Sequence, residues 1–185
     1  MTNTASPADH YRDLAAKFTA TVDAVPTDRW SSPSPCSDWT ARDVVAHVVG
    51  SQREIVTNVG LELPPGPSPE ADPAGAWAAT RDAMQEILDD PARGNLEYDG
   101  YFGRTSLAAT IDTFFTFDLV VHGWDLARAT GLDETIADSD LDFVETAAAG
   151  MGEAIRSEGV CGPALDVPED ADRTTRVLAY LGRQA

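Results

Sequence analysis

Phe114-Phe-Thr-Phe-Asp118-Leu-Val-Val-His122 lies inside the most apolar segment of the chain, which runs from Ser106 to Thr130 and is closed by Gly131. So long an apolar run predicts a buried helix, with the glycine supplying the left-handed residue that ends many helices. Two polar groups interrupt this surface, Asp118 and His122, one helical turn apart. Four residues turn about 400°, so the two side chains fall within about 40° of each other and about 6 Å apart along the axis. An ionised carboxylate on such a stretch is costly unless something positive faces it. A protonated His122 would serve, and a divalent cation would serve better. Asp125 falls on the same stripe. It reads as an acceptor that orients the imidazole, as a solvated acid, or as a salt-bridge partner of Arg128 or Arg42.

Outward from this segment, apolar residues at helical spacing recur. Ala8 to Val25 carries Leu14, Ala15, Phe18, Val22 and Val25, and Pro26 stops it. A second helix starts near Trp39 with Asp38 or Thr40 as N-cap, continues through Val44, Val45, His47 and Val48, and ends near Gly60. A third spans about Pro73 to Leu88, and a fifth Asp138 to about Glu158. A short helix is expected within the tail, Asp170 to Arg183. The Ser/Pro-rich stretch Ser31 to Ser37 and Leu63 to Pro69 are loops. Asp99-Gly100 between Tyr98 and Tyr101 signals a small hairpin. The pattern predicts an all-α four-helix bundle with an additional C-terminal helix and tail, one domain over residues 1–185.

Composition narrows the function classes. The chain has 185 residues and a formal net charge of −18, so phosphate backbones and anionic headgroups are repelled, and neither nucleic acid nor membrane is an expected partner. Lys17 is the single lysine, which excludes a P-loop or Schiff-base lysine elsewhere. Cys36 and Cys161 form no CxxC pair and read as free thiols of a reducing cytoplasm. Neither has the basic or helix-start setting that activates a thiol. Met1 to Asp9 lacks the pattern of a signal peptide, and no run reaches the ~18 apolar residues of a membrane span, so a cytoplasmic location is expected.

Three histidines are present. His10, in a polar helix start, reads as a surface residue. His47 sits among valines in the second helix and must find partners for its ring nitrogens, as a core histidine or as a ligand. His47, Asp118 and His122 together, from two helices, compose the donor set of catalytic zinc and of non-haem Fe(II).

Asp118-Leu-Val-Val-His-Gly-Trp-Asp-Leu-Ala-Arg-Ala-Thr-Gly131 resembles the signature of the mycothiol-dependent maleylpyruvate isomerase metal-binding domain family, within the DinB-like superfamily. Asp38-Trp39-Thr-Ala-Arg-Asp-Val-Val-Ala-His47-Val is similar to that family's first motif, and Leu178-Ala-Tyr-Leu-Gly-Arg183 resembles the ending of its small single-domain members. The resemblance implies a DinB-like bundle holding one divalent metal, zinc first, with nickel or iron(II) as alternatives. It also implies His47, Asp118 and His122 as the ligands. Asp118 stands where the isomerase has Glu, and its shorter arm draws the metal toward the helix or holds it more weakly. The isomerase's C-terminal domain has no counterpart in the residues after the metal helix, so maleylpyruvate isomerisation itself is not expected.

The implied chemistry is thiol-dependent. Mycothiol would bind the metal through sulfur and, as a thiolate, attack a small electrophile in S-transfer or isomerisation. A hydrolase using metal-activated water is the variant without thiol. A non-catalytic metal-binding or ligand-sequestering protein is the alternative, and an internal Asp118–His122 ion pair without metal is a third. Tyr98, Tyr101 and Arg104 are candidates for the pocket mouth, or for loop packing and surface salt bridges. A homodimer is compatible with the resemblance.

Overall fold

The computed structural model describes residues 5–157 and 159–185. Met1 to Thr4, part of the polar N-terminal stretch, and Glu158, the expected end of the fifth helix, lie outside the described residues.

Each long helix starts where its sequence supplies a cap. In α1 (Pro7–Ala24) the Ser6 hydroxyl accepts from the Asp9 N–H, and Pro7 occupies the first turn, where no N–H is needed. In α2 (Ala41–Asn58) Thr40 and Asp43 form a reciprocal capping box. Asp72 caps α3 (Pro73–Asp89). The helix α6 (Thr116–Thr130) ends at Gly131 with φ +75°, a conformation in which a side chain would be strained.

These four helices form the bundle: α1 and α2 each pack against both α3 and α6. Tyr11, Phe18, Val45, Trp77, Met84 and Leu126 fill its interior. The opposite side of α6 is apolar too. Phe117 and Val121 join Leu141 and Val144 of α7 (Asp138–Met151), with Ile155 and Leu181, in a second core that α8 (Arg173–Tyr180) covers through Val177. The fold is the all-α, DinB-like bundle with added C-terminal helices that the sequence predicts. Among the described residues no helix is long and apolar enough to cross a membrane.

Local departures from expectation have identifiable causes. The segment predicted from Ser106 to Thr130 is helical throughout from Leu107, but not α-helical throughout. A single turn, α5 (Leu107–Thr110), passes into a π-helical turn, Ile111–Phe115, before α6 begins. The widened turn keeps Leu107 and Ile111 in the bundle core while Phe114 and Phe115 line a cleft. Apolar periodicity cannot report such a turn, because apolar residues occupy both sides. Just past α3, Pro91 opens a one-turn helix, α4 (Pro91–Gly94), capped by Asp90. The hairpin forms from β1 (Glu97–Gly100) and β2 (Gly103–Ser106) with Gly100 opposite Gly103, so its turn is Tyr101-Phe102 and not Asp99-Gly100. The fifth predicted helix stops at Met151, and the 3-10 turn Gly152–Arg156 follows.

Leu126 is fully buried in α6. Leu126→Ala should lower unfolding free energy by about 2–5 kcal/mol. Urea denaturation checks this, with a reduced midpoint and an unchanged slope expected.

Candidate metal centre

The loop before α2 aims the first part of the site. Asp38 adopts φ +66°, a left-handed conformation that Asp tolerates better than most residues. The turn is closed by Trp39 N–H donating to the Cys36 carbonyl at 3.1 Å and by Ser34 N–H donating to the Trp39 carbonyl at 2.8 Å. Trp39 is thereby laid beside His47, with ring centroids 4.9 Å apart, and 6.0 Å from His122. The capped start of α2 then fixes His47 two turns into the helix. On α6, Asp118, His122 and Asp125 follow at helical spacing along one stripe.

The structure brings His47, Asp118 and His122 together. Their candidate donor atoms all lie within 4.8 Å of one another. His47 Nε2 stands 3.8 Å from Asp118 Oδ2, and the two imidazole rings meet edge to face at 4.9 Å. Donors around a tetrahedral zinc ion stand about 3.4 Å apart for bonds near 2.1 Å, so small side-chain rotations would close this set on a cation. Two imidazoles and a carboxylate also suit such an ion chemically. His122 pairs with Asp125 and not with Asp118: Nδ1 lies 2.9 Å from Asp125 Oδ2, which leaves Nε2 toward the other two donors. The site lies in a cleft of about 640 Å³ between the bundle and the C-terminal segments. Trp39 and Phe114 contribute apolar wall, and Arg156 and Arg183 also line it.

Asp125 is neither solvated nor paired with Arg128 or Arg42. Its side chain is fully buried. Arg183 donates to it through Nε at 3.1 Å and Nη2 at 2.9 Å, and the Cys36 thiol donates at 3.3 Å. Burial by itself would raise this carboxyl, but the His122 hydrogen bond and the Arg183 charge outweigh it and hold the group at about 2. Burial, and then the Asp125 charge, push the Cys36 thiol up to about 12. Burial also raises Cys161. Neither cysteine is an activated nucleophile.

Other expectations are corrected. His10 is partly buried, with Nδ1 2.7 Å from Asp112 Oδ1 and its ring edge-on to Phe143 at 4.7 Å. Tyr98, Tyr101 and Arg104 do not line the cleft. Tyr98 bonds Thr110 at 2.6 Å, Arg104 pairs with Glu97 at 3.2 Å, and Tyr101 stands 82% exposed at the hairpin tip. Aromatic contact with the cleft wall comes instead from Phe102, stacked on Phe114 at 5.7 Å. Arg183 and Cys36 escaped notice as site residues. The signal for Arg183 was limited to a cation directly after the apolar residues Leu178 to Leu181, while Arg128 and Arg42 offered nearer partners for Asp125.

Residues 11–127 match the family model described as the mycothiol maleylpyruvate isomerase N-terminal domain. The uncharacterized protein Rv0738 of Mycobacterium tuberculosis is similar at 29% identity, over 90% of this chain and 91% of its own length. The uncharacterized protein Rv0036c of the same species is 27% identical, over 69% of this chain and 59% of its own length. No solved structure matches.

A thiol raised from 9.0 to about 12 exposes roughly a thousandfold less thiolate near pH 8. Iodoacetamide should therefore modify Cys36 far more slowly than a free cysteine in a peptide, and denaturant should abolish the difference. Peptide mass spectrometry over a time course measures both.

Proposed function

The chain belongs to the mycothiol maleylpyruvate isomerase N-terminal domain family, and from that membership we propose that His47, Asp118 and His122 hold one divalent cation, zinc first. In this reading the site activates a low-molecular-weight thiol such as mycothiol toward a small electrophile, as a transferase or isomerase. The observation that carries the reading is the convergence of these three side chains, from two helices, on one wall of an accessible cleft. When bound, such a cation stabilises a coordinated thiol as its thiolate at neutral pH.

The residues around it have separable tasks. His122 offers Nε2 because Nδ1 is committed to Asp125. Asp118 supplies the negative donor that offsets part of the cation's charge. Trp39 flanks both imidazoles. Three protein donors leave a position for the ligand's own atom, which is the pattern of catalytic rather than closed structural sites. The aromatic wall lowers the local dielectric and strengthens charge interactions inside the cleft.

Purified protein should carry about one equivalent of zinc per chain, nickel and iron(II) being the competing assignments. Elemental analysis measures it. His47→Ala and Asp118→Ala should each weaken binding at least tenfold, whereas Asp118→Glu should retain it. Unchanged stoichiometry in His47→Ala would remove that residue from the ligand set. Electrophile turnover that depends on both mycothiol and metal supports the transferase or isomerase. Turnover with metal alone points to a hydrolase, and loading without turnover to a sequestering protein.

A further inference from the structure

Arg183 lies well beyond the residues that match the family model, which end at 127. It nevertheless sits inside the site's supporting network, 58 positions from Asp125 in sequence, with only 8% of its surface exposed. We propose that Arg183 is a positioning residue for the metal centre: it fixes the Asp125 carboxylate, which in turn fixes the tautomer and orientation of His122. The inference rests on the assignment of His122 as a ligand.

Geometry supports this role over direct ligand recognition. A guanidinium has five N–H donors in a rigid fork. Here Nε and Nη2 are directed at Asp125, with Nη2 also 3.8 Å from Cys36 Sγ. Nη1 donates to the Leu181 carbonyl at 2.9 Å and lies 4.0 Å from Cys161 Sγ. Every edge of the fork faces a protein partner, so none is left over for a substrate oxygen. What the fork does is hold both oxygens of one acid, which lysine cannot do with the same planarity.

The backbone is shaped for the same purpose. Arg183 N–H donates to the Leu178 carbonyl at 2.8 Å and Gly182 N–H to the Ala179 carbonyl at 2.9 Å, so the chain curls back as α8 ends. Gly182 has φ +80°, and a Cβ there would stand 3.1 Å from the Gly162 backbone and the Pro163 carbonyl oxygen. The turn that points Arg183 inward therefore requires glycine on both conformational and steric grounds. Asp125 in turn accepts from His122 on the oxygen that Nη2 also reaches. A carboxylate fixed from two sides keeps the proton on Nδ1 and presents Nε2 to the cleft.

The test uses the full chain and reads His122 directly. In metal-free, nitrogen-15-labelled protein at pH 8.5, long-range proton–nitrogen spectra should show His122 as one tautomer with the proton on Nδ1. Arg183→Gln should mix the tautomers and weaken zinc binding by roughly 10–100-fold, and Arg183→Lys should recover part of both. Asp125→Asn with Arg183→Gln should lose no more affinity than the worse single variant, because both act through one link. If Arg183→Gln does not fold, Arg183→Lys carries the same readouts, with a shift between wild type and the mixed state expected. An unchanged tautomer together with zinc affinity within twofold of wild type, in whichever variant folds, would overturn the proposal. So would multiplying losses in the double variant. Absence of zinc binding from wild type with an intact Nδ1–H tautomer would sink the metal assignment and overturn the metal-positioning role with it, leaving Arg183 only the orientation of Asp125 and His122.

Discussion

A carboxylate with no exposed surface governs this site. Asp125 on α6 would be untenable alone, since a buried unpaired charge costs several kcal/mol. Its compensation comes from three separate stretches: the loop before α2 through Cys36, its own helix through His122, and the tail through Arg183. Such a group contributes little net stability compared with an apolar replacement. Its effect is on arrangement. Alternative packings of the loop or the tail would strand a charge, so the fold in which all three stretches meet is singled out.

The same helix explains why the site lies where it does. Most bundle helices have one apolar face and one wet face. Here α6 serves two cores, Leu126 and Leu119 turned toward α1, α2 and α3, and Phe117 and Val121 toward α7. Its polar stripe falls at the seam between them. That seam is open enough to form a cleft and apolar enough that polar groups there must find partners. The π-helical turn just upstream sets the rotation of the stripe relative to α5 and turns Phe114 toward the opening.

Much of this was legible in the chain because punctuation and periodicity agreed. Pro7, the Thr40–Asp43 pair, Pro73 and Gly131 mark helix ends wherever the apolar spacing starts or stops. His47, Asp118 and His122 stood out because polar side chains on apolar helices need partners. Three kinds of feature were illegible. The π-helical turn leaves no trace in a run that is apolar on every side. The hairpin turn at Tyr101-Phe102 overrode a better turn dipeptide, because pairing of Glu97 with Ser106 sets the register. The Asp125–Arg183 and His10–Asp112 pairs join residues far apart in sequence, and nearer arginines offered equally plausible partners for Asp125.

The two sulfur atoms bordering the guanidinium have a chemical consequence of their own. A protein that handles reactive electrophiles beside its own sulfhydryls risks alkylating itself, or being trapped as a mixed disulfide by an oxidised small thiol. Desolvation and the neighbouring acid keep Cys36 protonated, and desolvation does the same for Cys161. Under the proposed thiol chemistry, the cleft would therefore discriminate between sulfur that belongs to the scaffold and sulfur that arrives from solution, a chemoselectivity that would spare the protein from inactivating itself.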